Sequence, residues 1–538
     1  MARQEWARWS LAAALVAGWA GSSGAQTLRI GLAAETTALD PLSNEITSNY
    51  TATRHIFDTL VQTDAQQRPG PGLALRWSAR GERQWVFDLR PDVRFSDGTP
   101  FTGRDVLFTF CRILNNPTAA PGAFAEPVRN MENVELEGEH RVVVTTRGPN
   151  PLLPADLSNT AILSSRVAGD RPMRFTPEDG CGVAGSFPAI NDFNGGQAAI
   201  GTGPFTLEDY VPGQRLMLRR NESYWGPKPH WARVELRPVT AGGPRVAGLL
   251  AGDFDLIENP AARDLERIRR DGRFTEQVTP STRIMYLQPD VARARSPMVN
   301  EGGRNPLQDL RVRQAISAAI DRKAIVERVM EGAAEVAYQF LPDGMSGALD
   351  PAPELRFDPA LSRRLLAEAG YPDGFPLVLH ASNNRYVNDA KVAQTLAQYL
   401  SRVGIRATVD TMPVSVFFTR RRENEFSLTL GGWGSSTGEA SSFLRHWVAT
   451  ANREEGLGSR NYGGYSNPEL DAVLKQALRT MDDAAREALL RQAVSLTLRD
   501  LPEIPLYFES STWAFRKDLA FTGRVDQMTL ATEVRPAP

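Results

Sequence analysis

The stretch from Asp358 to Asp410 does most to constrain the fold. It reads DPALSRRLLAEAG, then PLVLHAS, then DAKVAQTLAQYLSRVG, then IRATVD. Asp358 is placed as an N-cap, Pro359 falls in the first turn and Gly370 follows the last apolar position, which are the start and stop signals of a helix. The second helix stops the same way at Gly404, and each helix runs into a short strand-like segment. Alternating helix and strand points to an α/β layer, whose ligands sit beyond the strand ends.

Upstream, LQDLRVRQAISAAI is amphipathic, and Asp321 caps a helix that runs to Met330 and stops at Gly332. Strands are predicted at Leu28, Ile30 and Leu32, and in GPFTLEDYV, RLMLRR and RVELRPV. Ala52, Ile56, Phe57 and Leu60 have helical spacing. Trp85, Phe87 and Leu89 alternate, turn at Pro91-Asp92 and resume at Val93 and Phe95, the pattern of a hairpin. Thr102 is expected to cap a helix carrying Val106, Leu107 and Phe110. Residues from about 166 to 203 read as a long loop. A basic helix over Arg263–Arg270 presents a solvated face. Two late helices, at 469–478 and 484–498, lead into a short strand, IPLYF.

At the N-terminus, Arg3 and Arg8 precede an apolar run from Trp9 to Ala20 and small residues ending at Ala25, the pattern of a secretory signal peptide over residues 1–25. The run is too short and too interrupted by glycine for a membrane span. Cleavage after Ala25 predicts an exported, soluble chain. Export leaves two readings of Cys111 and Cys181 open, a disulfide or two buried thiols. The 61 Lys and Arg against 63 Asp and Glu supply no basic surface for nucleic acid. The five His and two Cys lack ligand spacing, so no metal site and no cofactor is expected.

Gly434-Ser435-Ser436-Thr437-Gly438 matches the G-x-S-x-G nucleophile elbow. Its partners are missing: His446 is the only downstream His and falls in the adjacent element rather than on a later loop. A secreted serine hydrolase using Ser436 is therefore the remote alternative, and no catalytic residue is assigned.

Several blocks occur together in order: LDPL, HIFDTLV, WVFDLRPDVRFSDGTPFTGRDVLFTF, IGTGPFTLEDYVPG, LRVRQAISAAIDRKAIVERVMEGAA, LLAEAGYPDGFPL and GGWGSSTGEASSFL. Over nearly the whole mature chain these resemble the extracytoplasmic solute-binding proteins of ABC importers, family 5, the dipeptide- and oligopeptide-binding type. The resemblance implies an α/β, two-lobed periplasmic-binding-protein fold with an extra domain inserted in the first lobe. Mapped here, lobe I takes 26–72, 199–282 and 504–538, the inserted domain 73–198 and lobe II 283–503. It implies a monomer in the periplasm that captures a peptide or peptide-like solute, or a non-peptide cargo such as a glycoside, opine or conjugate, and delivers it to ABC permease subunits.

In peptide binders of this family the stretch matching GGWGSSTGE pairs with an extended peptide as an added strand, which needs exposed backbone and little bulk, as Gly431, Gly432 and Gly434 provide. Trp433 would form an apolar wall. Ser436 stands where the family usually has an Asp for the ligand amine, so that either Glu439 takes that place or the cargo has no free amine. Arg385, beside Asn384 and Tyr386, is expected to hold a ligand carboxylate. Ser435 belongs to the same cleft segment, Glu35, Thr36 and Thr37 would line the cleft from the opposite lobe, and Asn49 and Tyr50 are weaker candidates.

Overall fold

The computed structural model describes residues 27–115, 124–299, 304–435 and 437–538. The signal-peptide segment and Ser436 lie outside the described residues.

One long sheet organises the chain. From one edge its strands are Arg406–Met412, Pro376–Ser382, Leu428–Gly434, Phe274–Pro289, Ile504–Arg516, Leu256–Glu258, Thr27–Leu32, Arg233–Pro238, Arg215–Arg220 and Phe205–Val211. Parallel pairing occurs at one edge, between Pro376–Ser382 and Arg406–Met412, and further along the sheet between Thr27–Leu32 and Arg233–Pro238, beyond which the last two strands pair antiparallel. The helix Asp389–Arg402 makes the first of these crossovers and buries Val392, Leu396 and Leu400. Its neighbour Pro359–Glu368 starts as its sequence implies, with Asp358 accepting from Leu361 N at 2.8 Å. Gly370 and Gly404, at φ of +90° and +105°, end the two helices in a backbone region that suits glycine.

The apolar cores divide the molecule into two halves. One core runs from Leu28 through Leu236 and Leu256 and is completed by Trp513, Phe515, Phe521 and Val534. Two others draw on residues 284–508. Among the described residues two strands run through both halves, Phe274–Pro289 and Ile504–Arg516, whose mutual register breaks between Pro280 and Ile284. A separate antiparallel sheet of Ala74–Arg80, Gln84–Leu89, Arg141–Thr146 and Met131–Leu136 packs on the first core. Within it the helix Gly103–Leu114 begins with Asp105 accepting from Thr102 N at 2.8 Å. Cys111 on that helix is disulfide-bonded to Cys181, Cα to Cα 6.0 Å.

Three local expectations are corrected. Gln84–Leu89 does not pair across Pro91-Asp92: Ala74–Arg80 and Arg141–Thr146 occupy its two edges, leaving none for Val93 and Phe95. The first helix is Thr47–Thr53, and Ile56, Phe57 and Leu60 are buried beyond its end. IPLYF opens a strand of 13 residues, because Glu509, Ser510, Ser511 and Thr512 continue it under cover.

Candidate functional site

The segment leaving the Leu428–Gly434 strand lies where the two halves meet. Gln67, from the first half, donates through Nε2 to the Ser435 carbonyl at 2.9 Å, and Thr282 Oγ1 lies 3.4 Å from the same oxygen. Ser435 Oγ then accepts from Gly438 N at 2.9 Å, closing a tight turn. Glu126, on the first-half side, pairs with Arg445.

Along the strand, Gly431 is registered with Tyr286, Gly432 with Met285 and Gly434 with Arg283. On the opposite edge the parallel partner covers only Leu428 and Thr429. Past that point Tyr386 takes over: its hydroxyl accepts from Gly432 N at 3.1 Å and donates to Gly432 O at 3.2 Å. Position 432 has to be glycine for this, since a β-carbon there would sit 2.7 Å from both the Tyr386 ring and Met285 Sδ. Gly434, two residues on, is the next position to present its N–H and C=O on that edge.

Trp433 is 6% exposed and packs against Phe443 and Trp447, ring centroids 5.1 and 5.9 Å away. Glu439 is buried, with Oε2 3.4 Å from Arg486 Nη2 and Oε1 without a hydrogen bond. Burial pushes its carboxyl above the ordinary range, with Arg486 opposing. Asp156, near Arg445, is pushed up to about 7 by burial, with Glu126, Glu439 and Glu45 adding to the effect and Arg445 opposing it.

Arg385 and Tyr386 are fixed by Asp389, whose Oδ2 accepts from both backbone N–H groups at 3.0 and 3.2 Å. The exposed Arg385 guanidinium lies 5.4 Å from the Tyr386 ring centroid. Asn384 spends its Oδ1 on Val414 N at 2.9 Å, at the start of the Val414–Arg422 helix. In the first half Thr37 and Asn49 bond each other, Thr36 O accepts from the Tyr210 hydroxyl at 2.8 Å, and Glu35 is exposed beside Gly213. Tyr50 rests edge-on against Phe124. Among the described residues no hydrogen bond joins this first-half group to the 433–439 segment.

Sequence reasoning missed Gln67, Arg283, Glu509 and Gln527. Arg283 donates through Nε and Nη2 to Gln527 Oε1 at 3.0 and 2.9 Å, and lies 3.6 Å from Glu509 Oε2. The available signal was a single charge interrupting an apolar strand, Arg283 in TRIMYL and Glu509 in PLYFES. Gln67 carried no such mark.

His446 Nδ1 bonds Ser459 Oγ at 3.1 Å and its Nε2 lies 3.9 Å from Glu126 Oε2, while Ser436 is outside the described residues. Among the described residues no group of His, Cys, Asp and Glu is arranged to hold a metal, and no helix is long and apolar enough to cross a membrane.

Known proteins match most of the chain. The chain is 26% identical over 492 residues to heme-binding protein A of Haemophilus influenzae, covering 86% of this chain and 83% of that protein. It is 25% identical over 494 residues to the periplasmic oligopeptide-binding protein OppA of Escherichia coli, covering 90% and 87%. The structure of the periplasmic binding protein DppA of Helicobacter pylori with the peptide STSA superposes with a TM-score of 0.74 at 21% identity, over 95% of this chain and 98% of that one. The profile of the bacterial extracellular solute-binding proteins, family 5, matches residues 68–455. The chain belongs to that family, and it is a binding protein rather than an enzyme.

Proposed function

We propose that this chain is the periplasmic solute receptor of an ABC importer, taking a peptide or peptide-like solute between its two halves and presenting it to the membrane permease. The observation that carries the reading is the convergence at 433–439. A glycine-bearing strand edge, the exposed Arg385 next to the Tyr386 that bonds Gly432, and a contact from the opposite half, Gln67 to Ser435, adjoin one another along this segment. Such an edge offers main-chain pairing, and two halves that close over it exclude water. The proposed division is lobe I at 26–72, 199–282 and 504–538, the inserted domain at 73–198 and lobe II at 283–503, in a monomer exported by cleavage after Ala25.

A non-peptide cargo is the second reading. It is favoured by the Tyr386 cap on Gly432, which takes up part of the edge a peptide would use, and by the heme named for one relative. Native mass spectrometry of freshly purified periplasmic protein tests both. A retained solute that fragments as a peptide supports the first reading, and any other retained mass supports the second. Labelling of Ser436 by a fluorophosphonate would contradict both.

A further inference from the structure

We propose that Arg283 is a second cation of the solute seat, which acts with Arg385 to select short solutes carrying an anionic group beside Gly434. This rests on the reading of the site given above, and it adds a residue and a ligand class to it.

Arg283 stands opposite Gly434 in the strand register. Residue 434 lies against the guanidinium without placing a side chain on it: a β-carbon built there would be in van der Waals contact, 3.8 Å from Arg283 Cζ and Nη2. Gln527 holds the group in place by accepting from Nε and Nη2, and does so from a left-handed backbone at φ +68°, a conformation uncommon outside glycine. Nη1 is left uncommitted among the described residues, and the side chain is 18% exposed.

The charge is poorly balanced. Glu509 is the nearest carboxylate, yet 3.6 Å exceeds the 2.7–2.9 Å of a strong charge-assisted bond. Its other oxygen is spent on Val387 N at 3.1 Å. Arg385 forms no ion pair among the described residues. Burial is what most disfavours the charged form of Arg283; Glu509 opposes it in part, and Arg385 adds to it to a lesser degree. A guanidinium cannot shed its proton under these conditions, so the positive potential persists and an anion placed between the two arginines relieves it.

The strand edge limits the length of the solute. Main-chain pairing uses every second residue, and the Tyr386 hydroxyl already fills Gly432. Among the described residues of the strand, Gly434 remains next to Arg283, which suits a solute with about one residue of pairable main chain rather than an extended oligopeptide.

The test is calorimetry on wild type, Arg283→Gln, Arg283→Lys and Gln527→Glu. The last leaves Arg283 in place and neutralises it with a carboxylate. The probes are Ala-Ala, Ala-Ala-Ala, their C-terminal amides, penta-alanine, succinate and N-(1-carboxyethyl)alanine. The expected result is that at least one short acid binds wild type and that amides and penta-alanine bind about tenfold more weakly or worse. Arg283→Gln and Gln527→Glu should each weaken the acids by about tenfold or more, with partial recovery in Arg283→Lys.

The inference is overturned if Gln527→Glu and any folded Arg283→Gln bind the acids as wild type does, if penta-alanine binds as well as Ala-Ala, or if no acid binds wild type. Arg283-dependent binding of the non-peptide acids, with every peptide silent, would uphold it while removing the peptide reading.

Discussion

The Tyr386 hydroxyl closes both backbone polar groups of Gly432, one at 3.1 Å and the other at 3.2 Å. A side chain thus occupies a place on the sheet edge that a strand would otherwise fill. Tyr386→Phe keeps the ring and leaves the N–H and C=O unpaired, at a cost of about 1–3 kcal/mol where water does not reach them. Urea denaturation checks this, and an unchanged midpoint would show that solvent serves the edge equally well.

Glu503 gives the protein a pH signature. It is buried, accepts from Gln288 Nε2 at 3.0 Å and leaves Oε2 unpaired. Burial raises its carboxyl to about 8, with Gln288 and Arg421 opposing. The folded state therefore holds this proton at pH values where the unfolded chain has released it, so the contribution to stability falls as pH rises from about 4 to about 8. Glu503→Gln should flatten that decline and raise the melting temperature most at pH 9. Parallel melting curves of mutant and wild type from pH 5 to pH 9 would discredit the assignment.

Cys111 and Cys181 close a loop of 70 residues between the Gly103–Leu114 helix and the turn at Pro177–Gly182. Replacing both with Ser should cost about 2–4 kcal/mol, mainly by freeing the unfolded chain. Non-reducing peptide mapping of periplasmic material should recover the two as one linked pair.

Away from the two through-going strands, Gln67 with Ser435 and Glu126 with Arg445 hold the halves together. The double variant Gln67→Ala, Glu126→Ala should open the unliganded protein and raise its radius of gyration in small-angle scattering. A saturating solute should reverse the change, since binding in the cleft favours the closed arrangement.

Much of this was legible in the chain. Helix caps at Asp358, Asp321 and Thr102 and the glycine stops act locally, so their positions survive folding unchanged. Gln84–Leu89 was legible as a strand, but its partner was not. Ala74–Arg80 alternates at Leu75, Trp77 and Ala79 yet is exposed along most of its length, whereas Val93 and Phe95 are buried without being a strand. The site divides the same way. The glycine run announces close backbone approach, while Gln67 and Arg283 earn their places through partners 368 and 244 residues away, a separation that no local pattern encodes.

The order of strands in the long sheet also fixes a sequence of events. Thr27–Leu32 lies between strands from residues 233–238 and 256–258, and the latter is flanked in turn by Trp513–Phe515. The half that contains the first strand therefore lacks part of its core until the last thirty or so residues have arrived, whereas residues 284–508 can assemble among themselves. A chain emerging from the ribosome cannot finish its beginning before its end is made. The topology thus makes completion of the leading half one of the last events of folding, whatever the pace of synthesis.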